Sequence, residues 1–423
     1  MYGLMTDHYE LTMVRSALAS GVANRQAVFE VFARRLPPGR RYGVVAGTGR
    51  LVPMLADFLF TPADIDWLMA QGVLDERTAD WLAAYRFRGN VDGYREGEVY
   101  FPGSPLLTVS GTFAECVLLE TLVLSVLNHD SAVAAAAARM VSAAGDRALV
   151  EMGSRRTHEY AALAAARAAY LAGFQATSNL AAGHAFEIPT NGTMAHAFVL
   201  LHDREVDAFG SQVAALGADT TLLVDTYDIA TGIRAAVQAA GTTLAAIRID
   251  SGDLAVHAHR ARAQLDALGA SDTKIVLSSD LDEHALAALA AAPVDAFGVG
   301  TSVVTGAGAP TAGLVYKLVE VDGRPVAKRS EGGKETRGGR KTALRRHRAS
   351  GTATAEVVRA GSPPAAQPGD RILTIPYVRH GEPVADLPDL QAARAHHHSA
   401  MITLPWEGLK LSHGEPALPT ITR

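Results

Sequence analysis

The 423-residue chain has a single cysteine, and a lone thiol closes no internal disulfide. Cys116 lies in an apolar stretch and reads as a small buried hydrophobe rather than a reactive group. Basic residues are not in excess either: 39 Lys and Arg stand against 44 Asp and Glu, a net charge of -5. That balance argues against a general nucleic-acid binder, which carries a basic face. The first residues include Asp7, His8 and Glu10 in place of the basic-then-apolar order of a signal peptide. The apolar run 131–144 is interrupted by Arg139 short of the roughly 18 residues of a membrane span. A cytoplasmic protein with no membrane and no nucleic-acid partner is therefore expected.

What is present is ordinary globular composition, 48% hydrophobic and 20% charged, at a length that exceeds one core. From about Leu222 a short apolar run, a polar turn and a helical pattern repeat every 20 to 30 residues or so. The runs are 222–225, 246–250, 274–278 and 296–300, and the helical patterns between them are 230–240, 254–268 and 282–292. Consecutive βα units of this kind give parallel strands, whose C-terminal ends collect ligands. Asp225, Arg248, Asp250, Asp253, Ser278, Ser279, Asp280, Gly300 and Thr301 all fall at those ends and should converge on one mouth. Asp253 and Asp282 directly precede helical patterns, so N-capping competes with ligand binding for them.

Residues 85–112 alternate apolar and polar with glycine punctuation, and 314–328 reads as a hairpin around Asp322-Gly323. The expected class is α/β, an irregular TIM-like βα barrel with a second, strand-rich α+β domain built from both ends of the chain. Its expected bounds are 1–125 for the N-terminal strand-rich part, 126–310 for the barrel and 311–423 for a segment partly completing the first. The segment 324–348 is rich in Lys and Arg but holds four glycines and two glutamates. It reads as a solvated loop beside an anion site. His396, His397 and His398 read as surface histidines on a helix rather than a metal site.

Several strings taken in order resemble one family: 6–13 (TDHYELTM), 153–156 (GSRR), 192–196 (GTMAH), 248–254 (RIDSGDL) and 298–302 (GVGTS). The resemblance is to the nicotinate phosphoribosyltransferases, one branch of the type II phosphoribosyltransferases, and it is close over about residues 1–350. It implies that nicotinate and phosphoribosyl pyrophosphate form nicotinate mononucleotide and pyrophosphate, with ATP as co-substrate, Mg as cofactor and no assigned metal ligands. By resemblance His196 is the residue phosphorylated by ATP, a role imidazole can fill as a nucleophile. Arg248 then receives the nicotinate carboxylate, as its planar fork allows. Thr193 is a second nicotinate contact, Asp250 lies at the ribose, and Thr301 with Gly300 and Ser279 meets phosphate. Arg155 and Arg156 suit phosphate neutralisation, and Tyr9 matches an aromatic that reaches a neighbouring subunit's site, which implies a homodimer.

Two positions depart from related nicotinamide-using enzymes. Met152 stands where those place a stacking aromatic, and Ser178 where they place an aspartate that receives the amide. The absence of that aspartate together with Arg248 favours the acid over the amide. The rivals are another type II phosphoribosyltransferase, acting on nicotinamide or quinolinate, and a noncatalytic nucleotide-binding barrel.

Overall fold

The computed structural model describes residues 2–329 and 336–422. It divides into two compact units, Met1–Ala135 with Ala309–Arg423, and Ala136–Gly308. The division between the two units falls inside the helix Glu120–Ala144.

In the first unit both ends of the chain build a seven-stranded antiparallel sheet. Its strands run in the order Arg324–Pro325, Leu314–Val321, Gln26–Ala33, Leu107–Thr112, Asn90–Tyr94, Thr374–Arg379 and Glu382–Pro383. Gln26–Ala33 sits centrally because nearly every residue along it is buried, and Val31 is paired with Tyr316 on one side and Leu107 on the other. Phe29 stacks on Tyr316 at 4.8 Å, one of the aromatic contacts that pack this core. The expected hairpin is present, with Asp322 at φ 47° and Gly323 at φ 73°, the left-handed pair a two-residue turn demands. Asp322 also accepts from Arg25 Nε at 2.8 Å and from the Gln26 N–H at 3.0 Å. A second sheet joins Arg371–Ile372, Lys341–His347, Ala353–Ala360 and Thr420–Thr422, so the tail is an integral part of this unit.

Two expectations fail here. The basic segment is not a solvated loop throughout: Lys341–His347 is a strand, Lys341 is buried against Glu30 at 2.6 Å, and Arg345 is fully buried. Residues 330–335 of that segment lie outside the described residues. Arg345 donates to Glu356 Oε2 at 2.7 Å and to the Val99 carbonyl at 2.8 Å, while the Tyr94 hydroxyl donates to Glu356 Oε1 at 2.7 Å. Nor are the three histidines all at the surface. His396 Nε2 lies 2.9 Å from Glu98 Oε2, His397 Nδ1 lies 2.9 Å from the Gly97 carbonyl, and only His398 is exposed. Burial pushes the His397 imidazole down to about 4.

Removing one member of a buried ion pair strands the other charge. Arg345→Met should therefore lower unfolding free energy by about 3–5 kcal/mol, read from urea midpoints at constant m. A loss below about 1 kcal/mol would mean that the network is dispensable.

The stretch Phe113–Ala144 is long and apolar enough to cross a membrane by length and composition, contrary to the expectation that Arg139 breaks it. Its most apolar window is 67% buried, however, and two of its charges are in ion pairs. Asp130 meets Arg50 at 2.9 Å, and Arg139 meets Glu283 at 3.0 Å. Its apolarity is spent on packing, as in the core helix of a folded protein.

The second unit carries six parallel strands: β1 (Ala148–Glu151), β2 (Ala176–Thr177), β3 (Thr221–Leu223), β4 (Ala246–Ile249), β5 (Lys274–Ser279) and β6 (Ala296–Val299). Their order is β2-β1-β6-β5-β4-β3, a cyclic succession open at one place. Helices Ile229–Ala240, Leu254–Ala267 and Glu283–Ala288 follow β3, β4 and β5, as the βα punctuation predicts. This is a mixed α/β fold with a curled, half-barrel parallel sheet. The opening lies between β2 and β3, which have only two and three residues, and a lone parallel bridge between Thr177 and Thr190 extends the β2 edge.

Candidate active site

Register sets the site. β4 and β5 pair Arg248 with Val276, β5 and β6 pair Ser278 with Gly298, and β6 and β1 pair Gly298 with Val150. The polar residues at these four strand ends therefore adjoin across the sheet. A cavity of about 230 Å³ is lined by Arg155, Arg156, Arg248, Asp250, Ser278, Ser279, Asp280, Gly300 and Thr301, with Met152 and Gly298 completing the wall. The mouth expected from the sequence is thus largely formed, entirely within the second unit. Asp225 joins it by hydrogen bonding. Asp253 does not: it caps helix Leu254–Ala267 through the Val256 N–H at 3.1 Å, as Asp282 caps Glu283–Ala288.

Gly298 permits the close approach of Met152. A Cβ at that position would lie 2.7 Å from Met152 Sδ and 3.2 Å from Ser278 Cβ. Met152 thus lies against the strand end and places a thioether on the cavity wall.

Arg248 is the hub. It donates from Nε to Ser278 Oγ at 2.6 Å, from Nη1 to Thr193 Oγ1 at 3.1 Å and from Nη2 to Asp250 Oδ1 at 2.8 Å. Ser278 Oγ also donates to Asp250 Oδ1. Burial alone would raise the Asp250 carboxyl, but the bonds from Ser278 and Arg248 and the guanidinium charge outweigh it and hold the group below its usual range. His196 opens the helix His196–Leu200, partly exposed, with Nδ1 3.1 Å from Thr226 Oγ1 and Nε2 4.0 Å from Asp250 Oδ2. Thr193, Arg248, Asp250 and His196 therefore form one cluster.

Tyr9 belongs to the other unit. It is 47% exposed on helix His8–Ala19, and burial followed by Glu120, Glu10 and Asp7 pushes its hydroxyl above the usual tyrosine range. Ser178 is exposed and lies outside the cavity wall, and its N–H donates to the Glu151 carbonyl at 2.8 Å. Cys116 is fully buried, as expected.

Sequence reasoning passed over Thr226 and Glu151. Glu151 is buried at the end of β1, where its carboxylate accepts from the Gly153 N–H and from Thr177 Oγ1 at 2.5 Å. It ties the turn before Arg155 to the end of β2. Burial raises its carboxyl despite those bonds. Their positions at strand ends were the available signal.

The chain matches known proteins along nearly its whole length. Residues 4–128 match the nicotinate phosphoribosyltransferase N-terminal domain, and residues 147–353 match the nicotinate phosphoribosyltransferase family. A nicotinate phosphoribosyltransferase of Mycobacterium tuberculosis is 62% identical over 99% of this chain and 95% of its own length. One from Bacillus subtilis is 39% identical over 76% of this chain and 68% of its own. The crystal structure of human nicotinic acid phosphoribosyltransferase superimposes with a TM-score of 0.85 at 27% identity, covering 98% of this chain and 97% of that one. The chain belongs to the nicotinate phosphoribosyltransferase family.

Proposed function

We propose that this protein joins nicotinate to phosphoribosyl pyrophosphate, giving nicotinate mononucleotide and pyrophosphate as the first step of NAD salvage from nicotinate, and couples the reaction to ATP through a phosphohistidine at His196. The observation that carries it is the guanidinium of Arg248, held at three points on the cavity wall beside His196 and Asp250. A single fixed fork suits one carboxylate. Quinolinate, with two, calls for more converging arginines.

As pyrophosphate leaves C1 of the sugar, positive charge grows on the ring and the pyridine nitrogen attacks. Asp250, kept ionised by its partners, stabilises that charge beside the ribose. Arg155 and Arg156 neutralise the leaving group, while Ser279, Gly300 and Thr301 take phosphate oxygens at the ends of β5 and β6. The pyridine nitrogen is already unprotonated at neutral pH, so no general base is required and His196 is left for ATP.

Magnesium, which the resemblance implies, would neutralise pyrophosphate charge. Among the described residues no group of three or more His, Cys, Asp or Glu forms a metal cage. That fits an ion carried in on substrate phosphates, with Asp250 and Asp280 as the carboxylates at the cavity.

The reading extends to the whole protein. The parallel sheet is an irregular relative of the TIM barrel, residues 126–310 are the catalytic domain, and residues 1–125 with 311–423 form the strand-rich one. The enzyme works in the cytoplasm as a homodimer in which Tyr9 reaches the neighbouring site. The exposed, apolar Leu4 and Met5, a few residues before Tyr9 in the chain, support a covered surface there.

The test offers nicotinate, nicotinamide and quinolinate in parallel with phosphoribosyl pyrophosphate, Mg and ATP, and follows mononucleotide by mass spectrometry. Product from nicotinate alone is expected. Product from another base would overturn the assignment of Arg248, and no product from any would favour a binding role.

A further inference from the structure

The loop that leads into the catalytic cluster is held at two places. At its start Asn191 donates its N–H to the Thr177 carbonyl at 3.0 Å, at the end of β2. At its end Met194 is buried, and its Sδ accepts from the Leu223 N–H at 3.4 Å. Only Gly192 and Thr193 lie between. The Thr193 hydroxyl accepts from Arg248 Nη1 at 3.1 Å and donates to the Met194 carbonyl at 3.3 Å, and His196 follows directly after Ala195. A span so short has no slack, so its length sets where Thr193 stands.

The same span contains a reactive pair. The sequence holds five asparagines, and Asn191 alone precedes a glycine. Three of the others, Asn90, Asn128 and Asn179, are hydrogen-bonded through their side chains. Among the described residues none bonds to the Asn191 carboxamide or to the Gly192 N–H. Both residues are exposed and outside any helix or strand, and a Cβ at Gly192 would meet nothing within 4 Å. A free carboxamide therefore stands next to a free N–H that no side chain shields, on a backbone with room to turn.

We propose that Asn191 is a deamidation site, and that its conversion to isoaspartate impairs the enzyme by displacing Thr193 and His196. The inference rests on the roles given above to Thr193, Arg248 and His196. The Gly192 nitrogen bonds to the side-chain carbonyl carbon of Asn191 and gives up its proton, while the carboxamide nitrogen takes a proton and leaves as ammonia. The product is a cyclic succinimide. Water then opens the ring at one of its two carbonyls. Opening at the side-chain carbonyl gives aspartate. Opening at the main-chain carbonyl gives isoaspartate, in which the Cβ of residue 191 has joined the main chain. One bond is thereby added between the two fixed points, and a carboxylate is left beside it.

Wild type, Asn191→Gln and Asn191→Asp are compared fresh and after long storage at warm, mildly alkaline pH. Isoaspartate is read by enzymatic methylation of its free carboxyl and placed by mass spectrometry, and nicotinate turnover is read on the same samples. Wild type should gain label at residue 191 and lose turnover in proportion. In the labelled fraction the KM for nicotinate should rise roughly tenfold as the Thr193 bond is lost. Glutamine, whose longer side chain would have to close a larger ring, should stay unlabelled there and keep its turnover. Fresh Asn191→Asp adds the charge without lengthening the chain and should lie within about twofold of fresh wild type.

Stored wild type without label at residue 191, label that rises with no loss of turnover, or a glutamine variant that decays as fast overturns the proposal. A fresh Asn191→Asp as poor as stored wild type would trace the damage to charge and overturn the isoaspartate step. If fresh wild type makes no nicotinate mononucleotide, the functional reading falls. The label and the mass at residue 191 in the same samples still decide whether the site is modified.

Discussion

His196→Ala should abolish ATP-dependent phosphorylation of the enzyme and reduce ATP-stimulated nicotinate turnover by about a hundredfold or more, since no other group can take over the covalent step. Any slower turnover that proceeds without ATP should change far less. In the proposed mechanism the pyridine nitrogen attacks C1 unaided, and the imidazole approaches Asp250 Oδ2 only to 4.0 Å. The split is the diagnostic result. A histidine that merely packed the cavity would affect both activities together through Thr193, Arg248 and Asp250. Labelling with ATP carrying a marked γ-phosphate, followed by mass spectrometry of the peptide 192–202, checks the site directly. Undiminished label in His196→Ala would place the phosphoryl group elsewhere, and equal losses with and without ATP would reduce His196 to a structural part.

The parts of this site that were legible in the sequence share one cause. A parallel strand ends where its apolar run ends, so Arg248, Ser278, Gly300 and their neighbours could be assigned to one mouth from punctuation alone. Strand register then brings them into contact. What was missed depends on partners far away in the chain. His396 meets Glu98 and His397 meets Gly97 across about 300 residues, and Arg345 meets Val99 across 246. No local pattern reports such a partner, so a run of histidines or arginines looks solvated. The opening of the sheet was hidden for the opposite reason: β2 has only two residues, too few to show any period. Capping was the case in which two local readings competed. Asp253 has both the acidic side chain of a ligand and the place of an N-cap, and only its bond to the Val256 N–H separates them.

Arg248→Gln should raise the KM for nicotinate by roughly a hundredfold, about 3 kcal/mol, and leave the KM for nicotinamide, where that base is used at all, nearly unchanged. A guanidinium has five N–H donors. In Arg248 the Nε–H goes to Ser278, one N–H of Nη1 to Thr193 and one N–H of Nη2 to Asp250. One N–H remains on each terminal nitrogen, the pair a carboxylate can accept in parallel. The side chain is only 14% exposed, so the charge it offers is weakly screened. Lysine would keep the charge but not the fork, and Arg248→Lys should lie between glutamine and wild type. Part of any loss comes from Asp250, which either change leaves short of a partner. That part should appear in kcat and be shared by every base if Asp250 serves the ribose as proposed. The part specific to nicotinate belongs to its carboxylate. Equal penalties for nicotinate and nicotinamide would therefore mean that Arg248 only steadies Asp250, and the acid would have to be recognised elsewhere.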